Sequence, residues 1–88
     1  MKMQHIGSFE DSNSSALMMI IKVTGDGNSQ LHVMTKYRST DWDITPLEKF
    51  LNSLSYDEKY DDNEVNMVIA ITRILDHYSM YGSSLYVK

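Results

Sequence analysis

The sequence predicts an α+β fold, a three-stranded antiparallel β-meander packed against two C-terminal helices. Three observations predict it. Two apolar runs, Leu17 to Thr24 and Gln30 to Tyr37, flank a glycine-containing turn and read as paired strands. Helix-start signals cluster only after these runs, at Thr45 and again at Asp61. At 88 residues the chain has room for one small core and one domain, residues 1–88.

The first strand is expected over Met3 to Phe9, ending near Gly7-Ser8. Glu10 to Ser15 then gathers turn formers whose short polar side chains bond nearby backbone. In the second strand Leu17, Met19, Ile21 and Val23 share one face; in the third, Leu31, Val33, Thr35 and Tyr37 do. If these two faces meet, an odd-numbered loop centred on Gly27 must pair Val23 with Leu31. A two-residue Asp26-Gly27 loop would instead pair Val23 with Gln30. The odd loop is the expectation, with glycine supplying a positive φ.

Arg38 to Asp43 reads as a polar connection holding the single tryptophan, Trp42. Thr45 as N-cap, Pro46 at the first helical position and Glu48 three residues after the cap predict a helix over Pro46 to Leu54. Leu47, Phe50, Leu51 and Leu54 form its apolar stripe. A second helix is expected from Asp61 to about Ser79, stopped by Gly82. Val65, Val68, Ile69, Thr72 and Leu75 form one arc of it, and Met67, Ile71, Ile74 and Tyr78 another. A surface helix needs only one apolar stripe. This helix is therefore either wedged between the sheet and the first helix or in contact with a partner through its second arc. The tail Ser84 to Val87 has the composition of a short extra C-terminal strand.

Composition narrows the function classes. Twelve acids against eight bases give a net charge of −4, which disfavours direct nucleic-acid binding, because counterion release needs clustered Lys and Arg. No cysteine is present, so disulfides, thiolate nucleophiles and Cys-rich zinc sites are excluded. The longest apolar run, Ala16 to Ile21, falls far short of the ~20 residues that span a bilayer, and no signal-peptide pattern opens the chain. A soluble, unprocessed protein without membrane contact is the expectation. His5, His32 and His77 have no local metal-ligand spacing, and no nucleophile elbow, phosphate loop or dinucleotide fingerprint occurs. Neither a cofactor, a metal nor an enzymatic activity is expected.

The carboxylates are more informative. Asp57, Glu58, Asp61, Asp62 and Glu64 crowd the start of the second helix. Helix capping and the helix dipole account for one cap and one capping-box glutamate. The others, with Tyr60 among them, form either a solvated loop or a negative patch for a basic surface.

Several segments in order resemble a known family. Glu10-Asp11-Ser12-Asn13-Ser14, Met19-Ile20-Ile21-Lys22-Val23, Asp26-Gly27-Asn28, Leu47-Glu48-Lys49-Phe50-Leu51 and Tyr60-Asp61-Asp62-Asn63-Glu64 look like successive landmarks of the type II-A anti-CRISPR inhibitors of Listeria prophages. The likeness covers roughly residues 8–75. It implies a stoichiometric inhibitor in the cytoplasm of an infected bacterial host, whose partner is the RNA-guided CRISPR effector nuclease. In that family acidic surfaces mimic DNA in the basic cleft that reads the PAM, so arginines pair with carboxylates in place of target DNA. Carried over, Asp26, Gly27 and Asn28 form one contact group and Tyr60, Asp61, Asp62 and Glu64 the other, with Asp11 a weaker addition. The alternative is an interaction or immunity-type protein that uses Met67, Ile71, Ile74 and Tyr78 of the second helix for a homodimer or a toxin partner; seven methionines suit an adaptable contact. An acyl- or small-molecule-binding domain is a third reading, for which 88 residues leave little pocket volume.

Overall fold

The computed structural model describes residues 1–10, 16–36, 42–54 and 62–87. Among these the elements are β1 (Lys2–Glu10), β2 (Leu17–Gly25), β3 (Asn28–Lys36), β4 (Trp42–Pro46), α1 (Leu47–Leu54), α2 (Asp62–Tyr81) and β5 (Leu85–Val87). They form a five-stranded sheet in the order β4-β3-β2-β1-β5. The fold is α+β as expected, but the predicted three-stranded meander is only the middle of a larger, mixed sheet. β1 to β4 pair antiparallel, whereas β5 lies parallel to β1.

β4 replaces what read as a polar connection and a helix cap. Thr45 pairs with Val33 and Pro46 with His32, so the expected N-cap and first helical residue are the last two residues of a strand, and α1 begins at Leu47. Proline is tolerated here because β4 is an edge strand, whose outward N–H needs no ladder partner.

The β2–β3 turn also departs from the odd loop. Gly25 pairs with Asn28 and Val23 with Gln30, leaving a two-residue loop of Asp26 and Gly27. Their φ angles of 51° and 80° are both positive, as a type I′ turn requires. Its twist matches that of the flanking strands, and Asp and Gly are residues that tolerate this region. The two-residue register places Met18 opposite Thr35 and Ile20 opposite Val33. Those four, not Leu17, Met19, Ile21 and Val23, face the helices on these strands.

One core lies between the sheet and the helices, built on Ile6, Phe9, Met18, Ile20, Val33, Leu47, Leu54, Met67, Ala70, Ile71 and Ile74. Ile6 enters it through an irregularity in β1: the register shifts between His5 and Gly7, so alternation is interrupted once. A Cβ on Gly7 would collide with the Ile74 side chain and lie 2.7 Å from the Leu85 carbonyl oxygen. Absence of a side chain at residue 7 is what lets α2 and β5 close on β1 here.

α2 resolves the question of its two arcs. Met67, Ile71 and Ile74 are buried and Tyr78 half-buried, while Val65 and Ile69 are 41% and 51% exposed. The helix is thus the lid of the core. The residues considered for a partner interface on it are internal packing, which corrects that assignment. Tyr78 donates a hydrogen bond of 3.2 Å to Gln4 Oε1, and the Lys22 ammonium lies 5.8 Å from its ring centroid. Gly82, at φ 68°, ends the helix as expected, its N–H donating to the Tyr78 carbonyl at 2.8 Å.

Candidate functional site: an acidic hairpin tip beside an open sheet face

β2 and β3, nine residues each, hold the Asp26-Gly27 turn at the end of their ladder. Beneath it the Thr24 and Ser29 hydroxyls bond across the strands at 3.0 Å. Asp26, Gly27 and Asn28 are all exposed. Asp26, Gly27 and Asn28, the expected contact group, thus lie together on an exposed turn with two positive φ values. Beside it opens a concavity of about 560 Å³ that joins Asp26 and Asn28 to Val23 and His32 of the sheet.

Of the second acidic group, the described members Asp62 and Glu64 do not meet the tip. Asp11, Tyr60 and Asp61 lie outside the described residues. Asp62 is the first residue of α2, and Glu64 is half-buried in its first turn. Ile74 sits over Gly7, and Tyr78 reaches Gln4, so α2 advances along the sheet in the same sense as β2. Asp62 lies twelve residues upstream of Ile74, ~18 Å along a helix, and Asp26 lies six beyond Ile20, ~20 Å along a strand in the opposite direction. Asp62 and the hairpin tip, at opposite ends of a molecule 37 Å long, cannot form one patch.

The histidines do not converge either. His5 and His32 flank Ile21 from neighbouring strands, and His77 bonds Ser83 Oγ at 3.1 Å on the far side of the molecule. Among the described residues no cluster of three His, Cys, Asp or Glu side chains is arranged to hold a metal ion. His5 Nε2 and Ser8 Oγ share a 2.7 Å hydrogen bond. Ser8 is only 7% exposed, so the bond satisfies a buried hydroxyl and does not present a nucleophile.

The feature that reading the sequence missed is the other face of the sheet. Both helices pack on one side; the opposite side carries Met3, His5, Ser8 and Glu10 of β1, Leu17, Met19, Ile21 and Val23 of β2, and Gln30, His32, Met34 and Lys36 of β3. Trp42, Ile44 and Pro46 extend it across β4, and Tyr86 across β5. Ile44, Met3, Tyr86 and Trp42 are 53%, 57%, 50% and 39% exposed. Lys36 lies 5.3 Å from the Trp42 ring centroid, and the Tyr86 hydroxyl donates to Glu10 Oε1 at 3.1 Å. The signal for this face was the unbroken apolar run from Ala16 to Ile21. A strand with one solvated face alternates; one apolar on both faces announces that both are covered.

No family model, curated protein or solved structure matches the chain. Among the described residues no helix is long and apolar enough to cross a membrane.

Proposed function

We propose that the chain is a stoichiometric protein-binding inhibitor, and in its most specific form an anti-CRISPR protein that seats its acidic β2–β3 tip in the basic cleft where an RNA-guided effector nuclease reads the PAM. The observation that carries this reading is the tip itself. Asp26 and Asn28 stand exposed on a type I′ turn backed by a nine-pair ladder, so little conformational freedom is lost when they meet a partner. A carboxylate so placed pairs with arginines that would otherwise contact guanine edges or phosphate.

The separation of the acidic groups refines the proposal. The tip acts as the primary contact, and the start of α2 touches a different part of the target or none. Asp26→Lys alone should then abolish inhibition, and Asp62→Lys should add little to it. Capture of a guide-loaded effector by the tagged chain, followed by DNA cleavage assays at rising salt, tests this, since a charged contact at an exposed tip weakens as salt screens it. Full inhibition by a correctly folded Asp26→Lys protein would remove the tip from the site. The proposed setting is the cytoplasm of an infected bacterial host, and the proposed action is non-enzymatic.

The alternative reading, an interaction or immunity-type protein, draws on the open sheet face, because the apolar arc of α2 is used inside the molecule.

A further inference from the structure

The open face of the sheet is apolar and nearly uncharged on a chain whose net charge is −4. Among its described residues only Glu10 and Lys36 carry full charge. We infer that a second copy of this chain covers this face, the two sheets packing face to face about a two-fold axis that runs along β2. The inference does not depend on the inhibitor reading, because the hairpin tip lies at the strand ends and stays exposed when the faces pack.

The topology supplies the argument. β2 is the middle strand of the order β4-β3-β2-β1-β5. A two-fold axis along it lays β1 of one copy over β3 of the other, and β5 over β4. The register then decides which residues meet. Glu10, Leu17 and Lys36 lie in one row across β1, β2 and β3. The axis therefore sets Glu10 of each copy opposite Lys36 of its partner, opposite charges twice over. In the next row of this face, Tyr86, Ser8, Met19, Met34 and Ile44 run from edge to edge. Rotation puts Tyr86 against Ile44, Ser8 against Met34 and Met19 against itself. In the third row Ile21 meets Ile21. The same patch serves both copies, as an isologous contact requires, and both sheets keep their strands nearly aligned, the usual geometry of a sandwich.

Area and composition agree. Strand spacing and rise give the face on the order of 600 Å² per copy, so a pair buries about 1,200 Å², the lower bound of a stable interface. Trp, Tyr and Met, which occupy its two edges and centre, are the residues enriched in interface cores, whereas Lys and Glu are depleted there. A foreign partner chosen by charge would instead find its footing at the exposed Asp26 tip.

Light scattering of the full chain across micromolar concentrations tests this. The expected mass is twice 10.2 kDa. Dilution should shift the emission of the single tryptophan, Trp42, to the red as the face opens. Ile44→Lys should weaken the dimer at least ~100-fold by burying an unpaired charge, while Ile69→Lys, equally exposed but on α2, should leave it intact. Glu10→Lys and Lys36→Glu should each weaken it, and the double variant should restore it. That exchange also carries the test should Ile44→Lys fail to fold. A wild-type monomer at ~100 µM, a dimer indifferent to Ile44→Lys, or one lost through Ile69→Lys would overturn the inference. A double variant no better than the singles would overturn the two-fold axis.

Discussion

At the residue scale, Gly7, Gly27 and Tyr86 each sit where one substitution has a single direct physical consequence. Gly7 has no room for a Cβ between Ile74 and the Leu85 carbonyl. Gly7→Ala should cost about 1–3 kcal/mol, read as a lower urea midpoint with unchanged slope, because α2 or β5 must shift outward. Gly27, at φ 80° with open space around it, poses a different problem. There Gly27→Ala introduces backbone strain of about 1–2 kcal/mol and no clash. The same variant should loosen the tip and weaken any contact made through Asp26. Tyr86 donates its hydroxyl proton to Glu10, and that hydrogen bond, helped by partial desolvation and the glutamate charge, raises the phenol above its ordinary value. A group raised in the folded state holds its proton more tightly there than when unfolded. Its contribution is therefore complete below about pH 10 and fades as pH climbs through the raised value. Alkaline spectrophotometric titration should show a late phase that Tyr86→Phe removes and Glu10→Gln moves to lower pH.

At the element scale, β2, β3 and α2 were legible in the sequence, because two segments rich in apolar residues flanking a glycine turn and a capped apolar helix leave few alternatives. The register between β2 and β3 was not. Both faces of β2 are apolar, Met18 and Ile20 on one side and Met19 and Ile21 on the other, so alternation could not decide which face is inside. Turn chemistry decided it, through Asp26 and Gly27 in a type I′ conformation. β4 was hidden for a related reason. Thr45, Pro46 and Glu48 imitate a helix start, and only pairing with β3, a non-local fact, turns Trp42 to Pro46 into an edge strand. On α2 the composition showed two apolar arcs but not their assignment; packing against Ile6 and Gly7 of β1 selected the arc of Ile71 and Ile74. Ile74→Ala should therefore cost about 2–5 kcal/mol, whereas Ile69→Ala on the exposed arc should stay near the small changes typical of surface positions, a contrast that thermal or urea unfolding resolves directly.

At the scale of the whole molecule, the sheet separates two surfaces with different tasks. Its helix side is closed by α1 and α2 and supplies the stability of a small domain. Its other side is broad, apolar and bordered by one acid and one base, and its hairpin tip projects a carboxylate beyond both. How much of the candidate site the sequence disclosed follows from this layout. The tip was readable because Asp26, Gly27 and Asn28 are contiguous. The sheet face was not, because its residues come from five strands whose order no local pattern contains. The tip and the start of α2 were expected as two contact groups in one basic cleft, and the parallel course of α2 and β2 sets Asp62 and Asp26 at opposite ends of the sheet.

The measurement that tests the central claim most directly is titration of the purified chain into a guide-loaded effector nuclease during cleavage of PAM-bearing DNA, with wild type and Asp26→Lys side by side. Wild type should abolish cleavage stoichiometrically, with the inhibition relieved as salt rises, and the folded variant should not inhibit. Undiminished cleavage at saturating wild-type protein in low salt would contradict the central claim.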